Sequence, residues 1–263
     1  MKKTFYAIAL ATLLTACSSN SREIPEDAIT LDVEGTELVM VKIYNGDFMM
    51  GATSEQEDCS NFSELPAHKV KLTKPFYMSQ TEVTQELWTA VMGANPSAYK
   101  NEKETELPVH NVSWFQCQEF VKKLSQKTGK TFRLPTEAEW EFAARGAGKG
   151  YNLQYAGSKF CDRVSCMKTN SNGHPHPVAQ YGANEAGLYD MGGNVWEWVA
   201  DNYTDYKDSL YTDPLITTTD TLPHSVRGGS WNDKASNCRT STRMPIDPKQ
   251  QSAMIGFRIV MTE

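Results

Sequence analysis

Residues 187–198 combine acidic side chains with glycines in a pattern that suits a metal ion. Asp190 and Glu197 offer carboxylate oxygens, and the glycines between them allow a tight curve that can turn backbone carbonyls inward. Calcium takes roughly six to eight oxygen ligands of these two kinds. A structural interpretation fits equally well: Asp190 and Asn194 would cap turns while the two tryptophans of the run pack in the core. The residue types alone leave both interpretations open.

A second group of possible metal ligands combines histidine with cysteine. His174 and His176 flank a proline and follow Cys161 and Cys166, so the four side chains could compose a crude metal site. An exported protein more often pairs such cysteines or packs them in its core, and a His-Pro repeat is typical of a turn. The glycine-rich segment 146–150 lacks both Walker and Rossmann spacing, so we predict a solvated turn there.

The amino terminus indicates export. Lys2 and Lys3 precede an apolar run at positions 5–14, which is too short to span a bilayer and is typical of a secretory signal. The small residues before Cys17 resemble a bacterial lipobox, in which the cysteine is acylated after cleavage. An ordinary signal peptide with a coincidental cysteine is the less favoured alternative. We therefore expect fatty acyl chains such as palmitate on Cys17 to hold the protein at the outer membrane, on its periplasmic or its surface face.

The rest of the chain is predicted to form one domain. We expect residues 1–16 to be a signal peptide, residues 17–36 to be the lipidated cysteine with a flexible tether, and residues 37–263 to be the domain. The 263 residues carry 26 Lys+Arg against 32 Asp+Glu without a basic run, which excludes a nucleic-acid-binding protein. With 40% hydrophobic and 22% charged residues, neither extensive disorder nor a polytopic membrane protein is expected.

Capping signals and hydrophobic spacing predict three helices and few strands. Branched residues predict strands at 38–43, 69–72 and 256–260, whereas residues 146–256 show no sustained periodicity. A compact, irregular α+β domain is therefore expected. The predicted helices run from Thr84 to Gly93, from the capping box at Ser113 to Gly129, and from the capping box at Thr136 to Arg145.

Eight motifs in order resemble the sulfatase-modifying-factor family, whose type member is the formylglycine-generating enzyme. The resemblance covers roughly residues 37–261 and implies a compact, irregular fold related to C-type lectins. The motifs are Phe48–Gly51, Glu64–Val70, Thr81–Thr84, Val112–Trp114, Arg133–Glu141, Gly187–Trp198, Arg227–Trp231 and Gly256–Arg258.

The resemblance implies an active site, and this sequence departs from it at one position. Enzymes of the family oxidise a sulfatase cysteine to formylglycine with oxygen and a copper ion held by two cysteines. Cys238 matches the second cysteine, and Ser230 and Trp196 match positions that line the active site. Asp233 stands where the first cysteine belongs, and a hard carboxylate is a poor ligand for Cu(I). We therefore expect Cys238 to be a packed or free thiol rather than a nucleophile.

The family's calcium positions are better matched. By resemblance, Asp190 and Glu197 would supply side-chain oxygens to calcium, and Gly193 and Val195 backbone carbonyls, although the family more often has Asn at the position of Asp190. A second calcium site of the family lacks an evident acidic ligand here.

Two functions follow from this comparison. The first is a lipid-anchored, non-catalytic envelope protein that binds another protein or a glycan, and it is favoured by Asp233 and the lipobox. The alternative is a metal-dependent oxidoreductase, of the formylglycine-generating or a related type, that keeps a metal through Cys238 with new ligands. Neither function involves nucleic acid.

Overall fold

The computed structural model describes residues 22–56, 62–101 and 106–262. The predicted signal peptide, Cys17 and Cys59 lie outside these residues. In the part of the chain that is described, no helix has the length and apolar character needed to cross a membrane.

The described residues contain three α-helices, and each begins and ends where the capping signals predict. Thr84 caps the first helix, while Ser113 and Thr136 form full capping boxes at the second and third. Gly129 ends the second helix in the left-handed conformation that glycine adopts at little cost. The helices are α1 (Gln85–Met92), α2 (Trp114–Thr128) and α3 (Glu137–Ala144).

The described strands are short and lie in three sheets. The strands are β1 (Ile29–Val33), β2 (Thr36–Ile43), β3 (Gly46–Met50), β4 (His68–Leu72), β5 (Phe76–Ser79), β6 (Thr131–Arg133), β7 (Trp196–Asn202), β8 (Tyr211–Thr212), β9 (His224–Arg227), β10 (Arg243–Ile246), β11 (Ile255–Gly256) and β12 (Val260–Thr262). The five-stranded sheet has the order β1-β2-β5-β12-β6, the four-stranded sheet β10-β9-β7-β11 and the three-stranded sheet β3-β4-β8.

Two hydrophobic clusters hold these layers together. One contains residues of α1 and α2 with Trp196 and Trp198 of β7, and in it Trp88 stacks on Phe120 at a centroid distance of 5.3 Å. The other packs α3 against residues of the five-stranded and three-stranded sheets. The α+β prediction and its irregular character are therefore confirmed.

The tether was predicted to extend through residue 36, and this boundary is wrong. Residues Ile29–Val33 form β1, which pairs antiparallel with β2 from Ile29↔Met40 to Val33↔Thr36. The side chain of Val33 is 2% exposed and joins the core. Alternate residues of this segment face inward, so burial on one face of the sheet orders a stretch whose polar composition indicated a linker.

The strand predicted at residues 256–260 is two strands in two sheets. Ile255–Gly256 pairs with β7, whereas Val260 onward pairs with β5 and β6. Between them, the Phe257 carbonyl accepts from the Val83 amide and the Ile259 carbonyl from the Ser79 amide. The chain crosses from one sheet to the other here, and the apolar run gave no sign of the crossing.

Most of the four-stranded sheet lies in the segment without periodicity. In β7 six of seven residues are buried, so its sequence lacks the alternation that marks a strand with one exposed face.

Candidate functional site

Asp233 is the centre of a small polar hub. Its Oδ2 accepts from Trp196 Nε1 at 2.9 Å and from the Ser230 hydroxyl, and its Oδ1 accepts from Asn237 Nδ2 at 2.8 Å. Trp196 is the first residue of β7, and a short 3₁₀ turn at Ala235–Asn237 supplies the asparagine. These four residues, Asp233, Ser230, Trp196 and Asn237, are called the Asp233 hub.

The hub brings together three of the residues that the sequence analysis singled out. Ser230 and Trp196, which the resemblance matches to active-site positions, both donate to the Asp233 carboxylate, where the resemblance implies a metal cysteine. Both carboxylate oxygens are therefore already engaged by neutral donors. An oxygen-centred, hydrogen-bonded carboxylate does not fit Cu(I), which prefers soft thiolates.

Cys238 is a buried free thiol just beyond this hub. It is 0% exposed, and its Sγ donates to the Lys234 carbonyl at 3.7 Å. It shares a buried cluster with Cys161, an association that the sequence gave no means to foresee. The neighbouring Cys161 thiol and burial raise the pKa of Cys238 well above its usual range, while the Cys238 thiol lowers the pKa of Cys161.

The second group of interest is a cluster of buried acids around one arginine. Glu197 is 1% exposed, and Arg258 binds it in a bidentate pair, with Nη2–Oε1 at 2.8 Å and Nε–Oε2 at 2.7 Å. Trp140 Nε1 also donates to Oε2 of Glu197, at 2.7 Å. Arg258 Nη2 also donates to the Tyr189 carbonyl at 2.9 Å. This bond links the segment that follows β11 to the run that carries Asp190.

Glu82 and Asp190 complete this group, which we call the acid cluster: Glu82, Asp190, Glu197 and Arg258. Glu82 accepts from the Val195 amide at 3.1 Å and from Asn194 Nδ2 at 2.9 Å, and Asp190 accepts from the Ala179 amide at 2.6 Å. Burial raises the pKa of Asp190 to about 6, and repulsion from Glu197 adds to this shift. Burial and repulsion from Asp190 and Glu197 raise the pKa of Glu82 well above its usual range.

The cluster holds three carboxyl groups and one guanidinium, so ionised acids would outnumber cations in a buried place. Carboxylate oxygens are the donors that calcium prefers, and a divalent cation would offset the excess negative charge. The donor types therefore suit calcium, but both oxygens of Glu197 already accept from Arg258 and one of them from Trp140, so an ion would have to share these oxygens. The backbone requires glycine at position 193, because its φ is +76° and a Cβ there would collide with the Cys166 carbonyl oxygen.

The histidines and cysteines considered as a crude metal site are not gathered into one. His176 Nε2 lies 3.0 Å from the Ser171 carbonyl, and His174 Nδ1 lies 3.0 Å from the Pro175 carbonyl. Cys161 packs with Cys238, whereas Cys166 packs with Val195 and Trp231. Across the described residues, no group of three or more His, Cys, Asp or Glu side chains is arranged to hold a metal ion.

Sequence reasoning missed Glu82, Arg258 and Cys161 as members of these sites. Glu82 and Arg258 lie in two of the family motifs, Thr81–Thr84 and Gly256–Arg258, but the motifs did not predict that Arg258 pairs with Glu197 or that Glu82 lies nearby. Cys161 was considered only as a metal ligand with Cys166 and the histidines, and its association with Cys238 was not predicted because the two are far apart in the chain.

Comparison with known proteins gives a consistent family. The model of the sulfatase-modifying factor enzyme 1-like domain matches residues 27–263. The chaperone protein LppX of Paenibacillus barcinonensis is 30% identical over 244 residues, which cover 74% of this chain and 78% of that protein. The inactive C-alpha-formylglycine-generating enzyme 2 of Bos taurus is 35% identical over 181 residues, which cover 63% of this chain and 53% of that protein.

A solved structure supports the same fold. Treponema denticola variable protein 1 matches with a TM-score of 0.82 at 29% identity, over 90% of this chain and 99% of that one. The likeness confirms the predicted irregular, C-type-lectin-like α+β fold.

Proposed function

Because the chain belongs to the sulfatase-modifying factor enzyme 1-like family, we propose that it is a non-catalytic member that binds a protein or glycan of the cell envelope. In this proposal it lacks the copper-dependent cysteine oxidation of the formylglycine-generating enzymes. One observation carries the proposal: Asp233, in place of a metal cysteine, has both carboxylate oxygens engaged by Trp196, Ser230 and Asn237. The side chains that would line a catalytic pocket instead hydrogen-bond to one another.

Two named relatives agree with a role without catalysis. One is called a chaperone and the other an inactive formylglycine-generating enzyme. A binding role also has a surface to use beside the hub. Tyr99 is 39% exposed and packs edge-on against Trp231 at a centroid distance of 5.5 Å. Aromatic side chains of this kind are enriched in recognition surfaces.

Copper content and oxygen consumption test the absence of catalysis. The purified chain is given Cu(I), oxygen and a cysteine-containing sulfatase peptide, with a catalytically competent family member as the positive control. We expect no stoichiometric copper, no oxygen uptake and no formylglycine in the peptide. Tight copper binding and peptide oxidation that are both lost in Cys238→Ala would overturn the proposal and establish the oxidoreductase alternative.

The membrane anchor is a separate part of the proposal. Acylation of Cys17 would hold the domain at the envelope through a tether that ends before β1 begins at Ile29. We expect the chain to incorporate labelled fatty acid and to fractionate with the outer membrane. Cys17→Ser should abolish both, and labelling that persists in this variant would contradict the anchor.

A structural calcium ion is the third part. Its proposed ligands are the side chains of Asp190 and Glu197 with the backbone carbonyls of Gly193 and Val195. The excess of buried carboxylates over guanidinium in the acid cluster supports this assignment. The role of the ion would be to stabilise the run that leads into β7, and hence the position of Trp196.

A further inference from the structure

Cys161 and Cys238 bring two thiols from distant parts of the chain into one small buried cluster. Both cysteines are free, and each thiol shifts the pKa of the other, upward at Cys238 and downward at Cys161. Cys161 begins the 3₁₀ turn Cys161–Arg163, and Cys238 ends the turn Ala235–Asn237. Each thiol therefore lies at the end of a short turn, and both pack in one cluster with Tyr155, Val164 and Met167.

The two sulfur atoms are closely surrounded by protein, which leaves little room for a metal ion or another side chain between them. Cys238 is 0% and Cys161 6% exposed. A Cβ at Gly229 would lie 3.0 Å from Cys238 Sγ and 2.7 Å from the Asn237 carbonyl, so the backbone already packs closely against this thiol. Within the described residues, no third cysteine, histidine or carboxylate joins the pair to form a metal-binding group.

We propose that Cys161 and Cys238 are a redox-active dithiol that forms an intramolecular disulfide by exchange with a low-molecular-weight disulfide. The Cys161 thiolate attacks one sulfur of the small disulfide, whose other half leaves as a thiolate. The Cys238 thiolate then attacks the Cys161 sulfur and displaces the second half. The small disulfide is reduced to two thiols, which take up the protons of the two cysteines, and one protein disulfide is formed.

The structure gives the two cysteines different roles. Cys161 is flanked by exposed residues on both sides, at 159–160 and 162–163, so a small opening of its turn presents the sulfur to solvent. Cys238 has buried neighbours after it, at 239–240, and is hydrogen-bonded to the Lys234 carbonyl. Cys161 is therefore the attacking thiol and Cys238 the resolving one. Disulfides of this kind persist in the oxidising compartment that the amino-terminal signal predicts.

Closure of the bond would act on the Asp233 hub. Cys238 follows Asn237, which donates to Asp233, so a bond to Cys161 would tie the hub covalently to the turn at Cys161–Arg163. The disulfide would restrict both segments in the unfolded chain and so raise the stability of the oxidised protein.

Peptide mapping tests the pair directly. The full-length chain is equilibrated in buffers of increasing oxidised-to-reduced glutathione ratio, quenched with acid, alkylated and digested with trypsin. Cleavage after Lys159, Arg163, Lys234 and Arg239 leaves residues 160–163 and 235–239 as separate peptides. We expect one cross-linked product of these two peptides, lighter than their sum by two hydrogens, and its complete reversal by dithiothreitol.

Single substitutions separate the two roles. Cys238→Ser should trap glutathione on Cys161 as a mixed disulfide, and Cys161→Ser should leave Cys238 unreacted because that thiol is buried. Cys117→Ser and Cys166→Ser are matched controls that remove other buried thiols and should keep the cross-link.

The peptide map of the wild-type chain tests the proposal even if a variant fails to fold. A cross-link to Cys59 or Cys166, or two thiols that stay separately alkylated at every redox ratio, would overturn the proposal. So would stoichiometric metal that protects both thiols until a chelator removes it, because the pair would then be a soft-metal site. The copper and oxygen assay of the proposed function is independent of these outcomes.

Discussion

The Asp233 hub and the acid cluster contain the residues that the family resemblance matches to metal positions, and they have opposite charge balance. In the hub, one carboxylate receives three neutral donors, from Trp196, Ser230 and Asn237. In the acid cluster, three carboxyl groups are 1–3% exposed, and one of them, Glu197, forms the ion pair with Arg258. The hub is satisfied without an ion, whereas the cluster carries buried acids that the guanidinium alone does not balance.

This difference bears on the two metals that the proposed function treats differently, copper and calcium. Asp233 offers a hard carboxylate where the family resemblance implies a soft thiolate, and it accepts hydrogen bonds from the neighbouring polar groups. The acid cluster offers hard carboxyl donors, and burial and mutual repulsion make ionisation of Glu82 and Asp190 unfavourable, a cost that a divalent cation would offset.

The largest effect should come from breaking the ion pair in the acid cluster. Glu197→Ala leaves Arg258 buried without its bidentate partner, and such losses typically cost about 3–5 kcal/mol. Denaturant unfolding with a chelator present measures the change in unfolding free energy. Glu119→Ala, which removes an exposed helix pair with Lys123 at 2.8 Å, is the matched control, and it should cost about 0.5 kcal/mol or less. A loss of similar size in both variants would mean that Glu82 and Asp190 replace Glu197 as partners of Arg258.

A buried acid outside both regions offers a calcium-independent reference. Asp201 accepts from the Glu137 amide at 2.8 Å and the Ile216 amide at 2.9 Å, and burial with repulsion from Glu137 raises its pKa to about 7. Because the folded pKa exceeds the unfolded one, this group stabilises the fold fully below about pH 4 and loses that contribution as the pH rises through about 7.

Unfolding free energies at several pH values measure this contribution. The wild-type value minus that of Asp201→Asn should fall by about 4 kcal/mol between pH 4 and 8, since each pKa unit corresponds to about 1.4 kcal/mol. Calcium should leave the difference unchanged. A difference that is flat with pH would show that Asp201 is ionised throughout this range.

The parts of the molecule that follow local rules were predictable, and those that depend on distant partners were not. The caps at Thr84, Ser113 and Thr136 act over one turn of helix, so their residue types fixed the helix ends. By contrast, β7 is buried on both faces, so its sequence shows no alternation of polar and apolar residues. The strand β1 lies in a polar stretch that predicted a linker. The residues of the acid cluster could be placed in motifs, but the ion pair between Glu197 and Arg258 depends on a crossing between two sheets.

The calcium prediction distinguishes the two regions most directly. At a free calcium concentration one hundred times the dissociation constant, an ion that binds only the folded state adds about 2.7 kcal/mol to the unfolding free energy. We expect thermal unfolding to shift upward with calcium in the wild-type chain and in Asp233→Asn, and to be unaffected by calcium in Asp190→Ala. Calcium-dependent stability that survives in Asp190→Ala would remove the acid cluster as its binding site.

The smallest expected effect is at the hub, because the partners that lose Asp233 are neutral and the aspartate itself is only partly buried. Asp233→Ala leaves the donors of Trp196, Ser230 and Asn237 without their acceptor, and each unmet buried donor costs about 1–3 kcal/mol where water cannot replace the bond. Water can reach this half-buried position and replace part of the lost bonds, so we expect the summed cost of the substitution to be about 1 kcal/mol. Asp233→Asn keeps one acceptor oxygen and should recover part of the loss. If Asp233→Ala instead cost as much as Glu197→Ala, the hub would be as tightly coupled to the core as the acid cluster, and the contrast between a satisfied and a charge-unbalanced region would fail.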